Sequence, residues 1–227
     1  MPVFRLSQQL RFPPPDLSEP DGLLAVGGDL SPPWLLLAYS SGVFPWFNEG
    51  DPVLWWSPDP RCVLELSDLQ VSRSLARVLR RGEFAVTFDR AFARVVSACA
   101  APRSDLEGTW ITAEMEAAYG RLHELGYAHS VECWREGELV GGLYGVCLGR
   151  FFFGESMFHS ITNASKVAFV ALARHLAERG FELLDCQLPT AHLFSLGARE
   201  MPRGVFLERL RRGGMEPSCE PLPGDFS

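Results

Sequence analysis

The sequence has no apolar run near the ~20 residues needed to span a bilayer. Its longest stretches of that kind, Trp34 to Tyr39 and Val167 to Ala173, are short. Met1 to Asp16 contain no apolar core of a secretory signal, so a cytoplasmic protein without membrane attachment is expected. The six cysteines, at 62, 99, 133, 147, 186 and 219, form no C-x-x-C pair, and no histidine is placed to complete a zinc set. No metal or other cofactor is expected. The cysteines read as reduced, small core residues. An excess of positive charge is also missing. With 21 Lys and Arg against 28 Asp and Glu, the net charge is −7. That excludes a surface that grips nucleic acid all over. It leaves room for a local basic patch and suits a positively charged substrate. There is no G-x-S-x-G, no Walker loop and no G-x-G-x-x-G. Internal repeats and low-complexity segments are absent too.

What is present is an ordinary core-forming composition, 47% hydrophobic and 22% charged over 227 residues. Eleven of the 17 prolines fall in residues 1–60, which favours turns and extended chain there. One helix fits this region, with Ser31 as cap, Pro32 in the first turn, Trp34 to Tyr39 as body and Gly42 as stop. A small N-terminal lobe over 1–61 is therefore expected, followed by an alternating α and β region over 62–227. In that second region, Ser67-Asp-Leu-Gln70 resembles a capping box opening a helix to Arg81. Asp89 is placed to cap a helix to about Ala100, and Thr112 another to Leu125. Tyr127 to Arg135 and Leu139 to Leu148 flank Glu136-Gly137-Glu138, a hairpin signal. Arg150 to Gly154 forms a further strand. A largely apolar helix follows from Asn163 to Arg179, then a strand from Phe181 to Gln187 and a helix from Pro202 to Arg212. The fold class is α+β, and this order resembles an N-acetyltransferase-like mixed sheet.

Four features carry the candidate chemistry. On a strand, residues two apart share a face, so Asp185 and Gln187 are expected to point together and Cys186 away. A carboxylate beside an amide is costly to bury without partners, which fits either a reactive site or a structural hydrogen-bonded pair. Phe151-Phe-Phe-Gly154-Glu155 leads three aromatics into a glycine and an acid, and reads as a pocket mouth or as core ending in a turn. Loop tryptophans Trp46, Trp55, Trp56 and Trp110 are plugs on the core or stacking platforms for bases. Arg73, Arg77 and Arg80 recur at helical spacing opposite Val71, Leu75 and Val78. Joined by Arg81, they form either a solvated face or a phosphate-binding ridge. A cysteine–histidine nucleophile from Cys186 and His192 is opposed by the strand alternation. Met157 to Lys166 holds no glycine, which counts against a pyrophosphate turn for coenzyme A.

Taken together, the ordered stretches resemble the leucyl/phenylalanyl-tRNA–protein transferase family. They are Phe12-Pro-Pro-Pro, Asp21 to Ser31, Gly42-Val-Phe-Pro-Trp-Phe47, Leu54 to Arg61, Gly108-Thr-Trp-Ile-Thr112 and Gly141-Gly-Leu-Tyr-Gly145. Gly154-Glu-Ser-Met-Phe158, Asn163-Ala-Ser-Lys166, Asp185-Cys-Gln187 and Ser195-Leu-Gly-Ala198 continue the series. The resemblance implies a small N-terminal domain joined to an acetyltransferase-like domain. It implies a monomeric cytoplasmic enzyme that moves Leu, Phe and, less so, Met from aminoacyl-tRNA to protein N-termini bearing Arg or Lys, marking them for degradation. It places Asp185, Gln187 and Glu155 in catalysis. Asp185 polarises Gln187 and helps receive the amine proton, Gln187 orients the amine, and Glu155 holds the pocket's polar end. It places Trp46, Trp110, Tyr119, Leu143, Phe152, Gly154 and Ser156 around the aminoacyl-adenosine, and Arg73, Arg77, Arg80 and Arg81 on the acceptor stem. Leu143 and Phe153 differ from the residues some members carry beside the side-chain pocket. Three other readings stay open: a coenzyme A-dependent N-acyltransferase, a non-catalytic module binding tRNA or peptide N-termini, and an aminoacyl-tRNA-dependent ligase for cell-wall peptide.

Overall fold

The computed structural model describes residues 3–101 and 111–226. A small sheet is built from β1 (Phe4–Arg5), β2 (Leu23–Val26), β3 (Phe44–Pro45) and β4 (Leu54–Trp56), in the order β1-β2-β4-β3. Between β2 and β3 lies α1 (Pro32–Ser40). Ser31 precedes it as expected but makes no side-chain cap bond. The proline fixes the first turn instead.

The larger sheet runs β11-β5-β10-β9-β8-β7-β6. Its strands are β5 (Arg61–Glu65), β6 (Ala85–Phe88), β7 (Ala128–Arg135), β8 (Glu138–Leu148), β9 (Phe151–His159), β10 (Leu183–Gln187) and β11 (Arg199–Met201). The helices are α2 (Arg73–Arg81), α3 (Phe92–Ala100), α4 (Ala113–Glu124), α5 (Ala164–Glu178), α6 (Ala191–Phe194) and α7 (Arg203–Arg212). The β7–β8–β9 run is antiparallel, and β10 then joins β9 in parallel after α5. That is the strand–helix–strand order anticipated for the mixed sheet.

Helices cover both faces. Alternation along the strands sends Val63, Phe151, Phe153 and Leu183 to the face covered by α1, α3, α4 and α7. Leu64, Phe152 and Leu184 go to the face covered by α2 and α5. Trp34, Tyr39, Phe44 and Trp55 belong to the same buried cluster as Tyr144 and Phe153, so the small sheet and the large one share a core. The run Gly141-Gly142 has a packing reason. A Cβ on Gly141 would lie 2.6 Å from the Cβ of Ala164, so only glycine lets α5 seat this closely on β8.

Two expected caps moved. The segment after Ser67 makes only a short 3₁₀ turn, and the helix starts at Arg73 with Ser72 accepting from the Leu75 amide at 3.2 Å. The Gln70 amide bonds to the Leu196 carbonyl at 2.9 Å, and Gly197 packs against the Asp68 carbonyl. This stretch is thus tied to a distant turn and not to a helix. Likewise Asp89 does not cap α3. It sits at φ 56°, and its carboxylate takes the Ser130 amide at 2.8 Å and the His129 ring at 2.7 Å. Glu132 on β7 serves the start of α3 instead, accepting from the Ala91 amide at 3.2 Å. Thr112 does cap α4, accepting from the Met115 amide at 3.3 Å.

Candidate active site

A cavity of about 1070 Å³ opens where β8, β9 and β10 meet α5 and β3. β10 delivers its chemistry at its end, whereas β9 runs on past the expected stop at Gly154 to His159 and presents Glu155 from its middle. β10 supplies Asp185 and Gln187, β9 supplies Gly154, Glu155 and Ser156, and the loop after β3 supplies Trp46. Apolar walls come from Leu143, Met157, Phe169, Leu172 and Leu184.

Asp185 and Gln187 do meet in one site, though simple alternation is not the reason. A bulge breaks the β10–β5 register between them, and Gln187 adopts φ 61°. Such backbone in a non-glycine residue costs roughly 1–3 kcal/mol and is held by its surroundings. Asp185 provides part of that hold, its Oδ1 accepting from the Gln187 amide at 2.9 Å. Because of the bulge, Cys186 also borders the cavity, correcting the expectation that alternation removes it from the site. Its thiol faces Cys62 on β5, and this contact is the first cause of a rise in the Cys186 pKa, with burial second.

The two carboxylates are held in opposite ways. Asp185 is buried and faces Arg61, which donates from Nε to Oδ1 at 2.9 Å and from Nη2 to Oδ2 at 2.7 Å. Arg61 is fully buried. Its remaining Nη1 reaches the Gly42 carbonyl at 3.3 Å, and its guanidinium lies between the rings of Phe44 and Phe206 at 4.7 and 4.8 Å. One side chain thus joins the turn after α1, β3, β10 and α7. Among the described residues, no cation is paired with Glu155. Its Oε1 accepts from Gln187 Nε2 at 2.8 Å and its Oε2 from the Tyr119 hydroxyl at 2.7 Å. The chain continues to the Tyr39 hydroxyl, 2.6 Å from that of Tyr119. Burial pushes the Glu155 carboxyl up to about 7, against the pull of the hydrogen bonds from Tyr119, Tyr39 and Gln187. Both tyrosines are pushed well above their usual range by burial and then by Glu155.

Of the residues expected around a ligand, Trp46, Leu143, Gly154 and Ser156 line the cavity. Tyr119 stands behind Glu155. Trp110 lies outside the described residues. Phe152 is the register partner of Leu184 across β9 and β10 but is not among the residues lining the cavity; its ring packs against Gly145 and stacks on Phe226 at 5.6 Å. Phe153 points to the opposite face, 5.4 Å from Tyr39. Arg73, Arg77, Arg80 and Arg81 form an exposed ridge on α2, away from the cavity wall, with Arg81 3.4 Å from Glu83. Sequence reasoning missed Arg61 and Tyr39 as site residues. Both sit inside segments that carried motifs, but only the paired strands and the α1–α4 contact reveal their partners. No group of three or more potential metal ligands gathers among the described residues. Nor, among them, is any helix long and apolar enough to cross a membrane.

A family model described as leucyl/phenylalanyl-tRNA protein transferase matches residues 63–211, and one for that enzyme's N-terminal domain matches residues 28–59. The leucyl/phenylalanyl-tRNA–protein transferase of Syntrophotalea carbinolica is 62% identical over 227 residues, covering 100% of this chain and 99% of that one. The protein of the same name from Pseudomonas aeruginosa is 60% identical over 203 residues, 88% of this chain and 90% of that one. Among solved structures, a GCN5-related N-acetyltransferase from Kribbella flavida overlaps 72% of this chain and 58% of its own, with a TM-score of 0.39 and 11% identity.

Proposed function

The chain belongs to the leucyl/phenylalanyl-tRNA–protein transferase family, and from that premise we propose that its cavity joins an apolar amino acid from aminoacyl-tRNA to the α-amine of a protein beginning with Arg or Lys. The new N-terminal residue then serves as a degradation signal. The observation that carries the reading is a titratable carboxylate, Glu155, bonded to Gln187 at the wall of an apolar cavity.

The reaction forms an amide C–N bond and breaks the ester C–O bond at the terminal ribose. The attacking amine must be neutral, although an α-amine has a pKa of ~7.7–8.0. It must also lose a proton as the tetrahedral oxyanion forms. Gln187 gives its Nε2 hydrogen to Glu155, which leaves its carboxamide oxygen to accept from the amine. Glu155 takes the proton, and Tyr119 and Tyr39 stabilise the carboxylate. The proton then passes to the leaving ribose oxygen. Asp185 acts through position: clamped by Arg61, it holds the Gln187 amide and thereby the bulge that aims the carboxamide.

Leu143, Met157, Leu172 and Leu184 receive the donor's side chain. An apolar pocket separates such side chains by only ~1–3 kcal/mol per methylene, so β-branched residues are rejected by shape. Trp46 and Trp110 stack on the terminal adenosine. Arg73, Arg77, Arg80 and Arg81 contact acceptor-stem phosphates without reading sequence. In this reading the protein acts as a cytoplasmic monomer, without a cofactor.

Purified protein is mixed with radiolabelled Leu-tRNA and a peptide beginning with Arg, beside a matched peptide beginning with Ala. Label on the Arg peptide alone is the expected result. Label on neither, with donor still bound, would turn the reading to a binding module or another acceptor.

A further inference from the structure

Cys62 and Cys186 are neighbours across the sheet, and the activity proposed above uses neither thiol. The bulge in β10 pairs Asp185 with Val63 and Gln187 with Cys62, so Cys186 and Gln187 both stand opposite Cys62. Residues directly opposite on antiparallel strands have Cα atoms about 4.5–5.5 Å apart, inside the roughly 4.4–6.8 Å that a disulfide spans. The two side chains also share a face. Cys62 belongs to the buried cluster on the side of α2 and α5, and Cys186 packs against that cluster. The thiols are hydrogen-bonded to each other, which is the first cause of the fall in the Cys62 pKa and of the rise in that of Cys186. Their exposure differs. Cys62 is fully buried, whereas Cys186 is partly exposed and borders the cavity.

We propose that Cys62 and Cys186 form a reversible disulfide that switches the site off. The oxidant is a low-molecular-weight disulfide, RSSR. Cys186 gives its proton to water, and its thiolate attacks one RSSR sulfur, forming a mixed disulfide and expelling RS⁻. Cys62 then gives up its proton and attacks the Cys186 sulfur, which closes the bond between the two cysteines and expels a second RS⁻. The released protons and thiolates combine as two RSH, so the cysteines lose two electrons and RSSR gains them. Exposure fixes the order, because Cys186 meets the cavity and Cys62 meets Cys186. An excess of RSH reverses both steps. The bond holds the sulfurs about 2.0 Å apart, closer than two unbonded thiols approach. It therefore draws β10 towards β5 at the bulge, where Asp185 holds the Gln187 amide. Gln187 then shifts against Glu155, to which its carboxamide is bonded at 2.8 Å. A misplacement of about 1 Å costs on the order of 100-fold in rate. This loss of turnover rests on the reading that Gln187 and Glu155 carry the chemistry; the disulfide does not.

The test treats the full-length protein with glutathione disulfide, removes the excess, alkylates the remaining thiols and weighs the proteolytic peptides. The expected product is a cross-link between the peptides carrying Cys62 and Cys186. Transfer from Leu-tRNA to the Arg peptide should fall about 100-fold with it and return after dithiothreitol. Cys62→Ala should keep the basal turnover, and the same treatment should leave it with glutathione on Cys186 and no cross-link. A wild type that ends with glutathione on Cys186, or with both thiols alkylated, overturns the disulfide. A cross-linked protein with undiminished turnover overturns the switch. If the reduced wild type transfers no leucine at all, the proposed activity fails, and the weighed peptides still decide the disulfide.

Discussion

Two carboxylates face one cavity, and their surroundings separate them. Asp185 has a guanidinium on both oxygens and is packed at the junction of two sheets. Among the described residues Glu155 has only neutral donors, and burial lifts its carboxyl to about 7. A charged partner fixes a carboxylate in place, and neutral partners leave it able to exchange a proton near neutral pH. Chemistry is therefore expected at Glu155 and architecture at Asp185.

The sharpest way to break this contrast is Glu155→Gln, which keeps the shape and removes the proton acceptor. Turnover should fall about 10²- to 10⁴-fold, the usual contribution of general acid–base catalysis. Near-normal single-turnover rates would transfer the proton to another group. Next in size is Arg61→Met. It leaves Asp185 buried without its cation and should cost roughly 3–5 kcal/mol in a urea unfolding series. The pair Arg61→Met with Asp185→Leu should recover much of that loss, because the uncompensated charge is then gone. Equal stability of the single and double variants would show that Arg61 acts through packing alone.

The pH dependence separates the two acids again. The folded Glu155 pKa is raised above 4.5, so the folded state holds the proton more tightly than the unfolded chain. Its stabilising contribution is complete below about 4.5, falls as pH rises to about 7, and is level beyond. The fall is at most about 3 kcal/mol, and less to the extent that water in the cavity screens the carboxyl. Unfolding free energies at pH 5 and pH 8 should therefore differ less in Glu155→Gln than in the wild type. Turnover moves the other way. It needs ionised Glu155 and a neutral amine, so it rises through pH 7 with two titrating groups, of which the Gln variant keeps one.

Tyr119→Phe removes one hydrogen bond to the carboxylate, a contact that pulls its pKa down. The acid limb of the activity profile should move to higher pH, with turnover above pH 8 lowered only a few-fold. An unmoved limb would detach Glu155 from that limb. The smallest effect lies outside the cavity. Neutralising Arg73, Arg77 and Arg80 should weaken all donor tRNAs alike and reduce the salt dependence by about 0.9 per lost phosphate contact. Loss confined to one tRNA would mean that the ridge reads sequence.

Much of this was legible in the chain itself. Periodicity located α4, α5, α7 and the β7–β8 hairpin, because apolar faces and caps are local properties. Asp185 and Gln187 were legible as polar groups at the end of an apolar strand, and Glu155 as an acid after an aromatic run, although β9 continues through it to His159. The ordered motifs were specific enough to point to the family. Tertiary structure decided the remainder, because the deciding partners are remote in sequence. Glu132 caps α3 from another strand, and Gln70 is drawn to Leu196. Arg61 meets Asp185 across 124 residues and Tyr39 meets Tyr119 across 80. The bulge that brings Gln187 beside Glu155 depends on both strands flanking β10. Sequence determined which residue types stand at the site. Burial and pairing, which exist only once the sheets close, determined which carboxylate is locked and which can carry a proton.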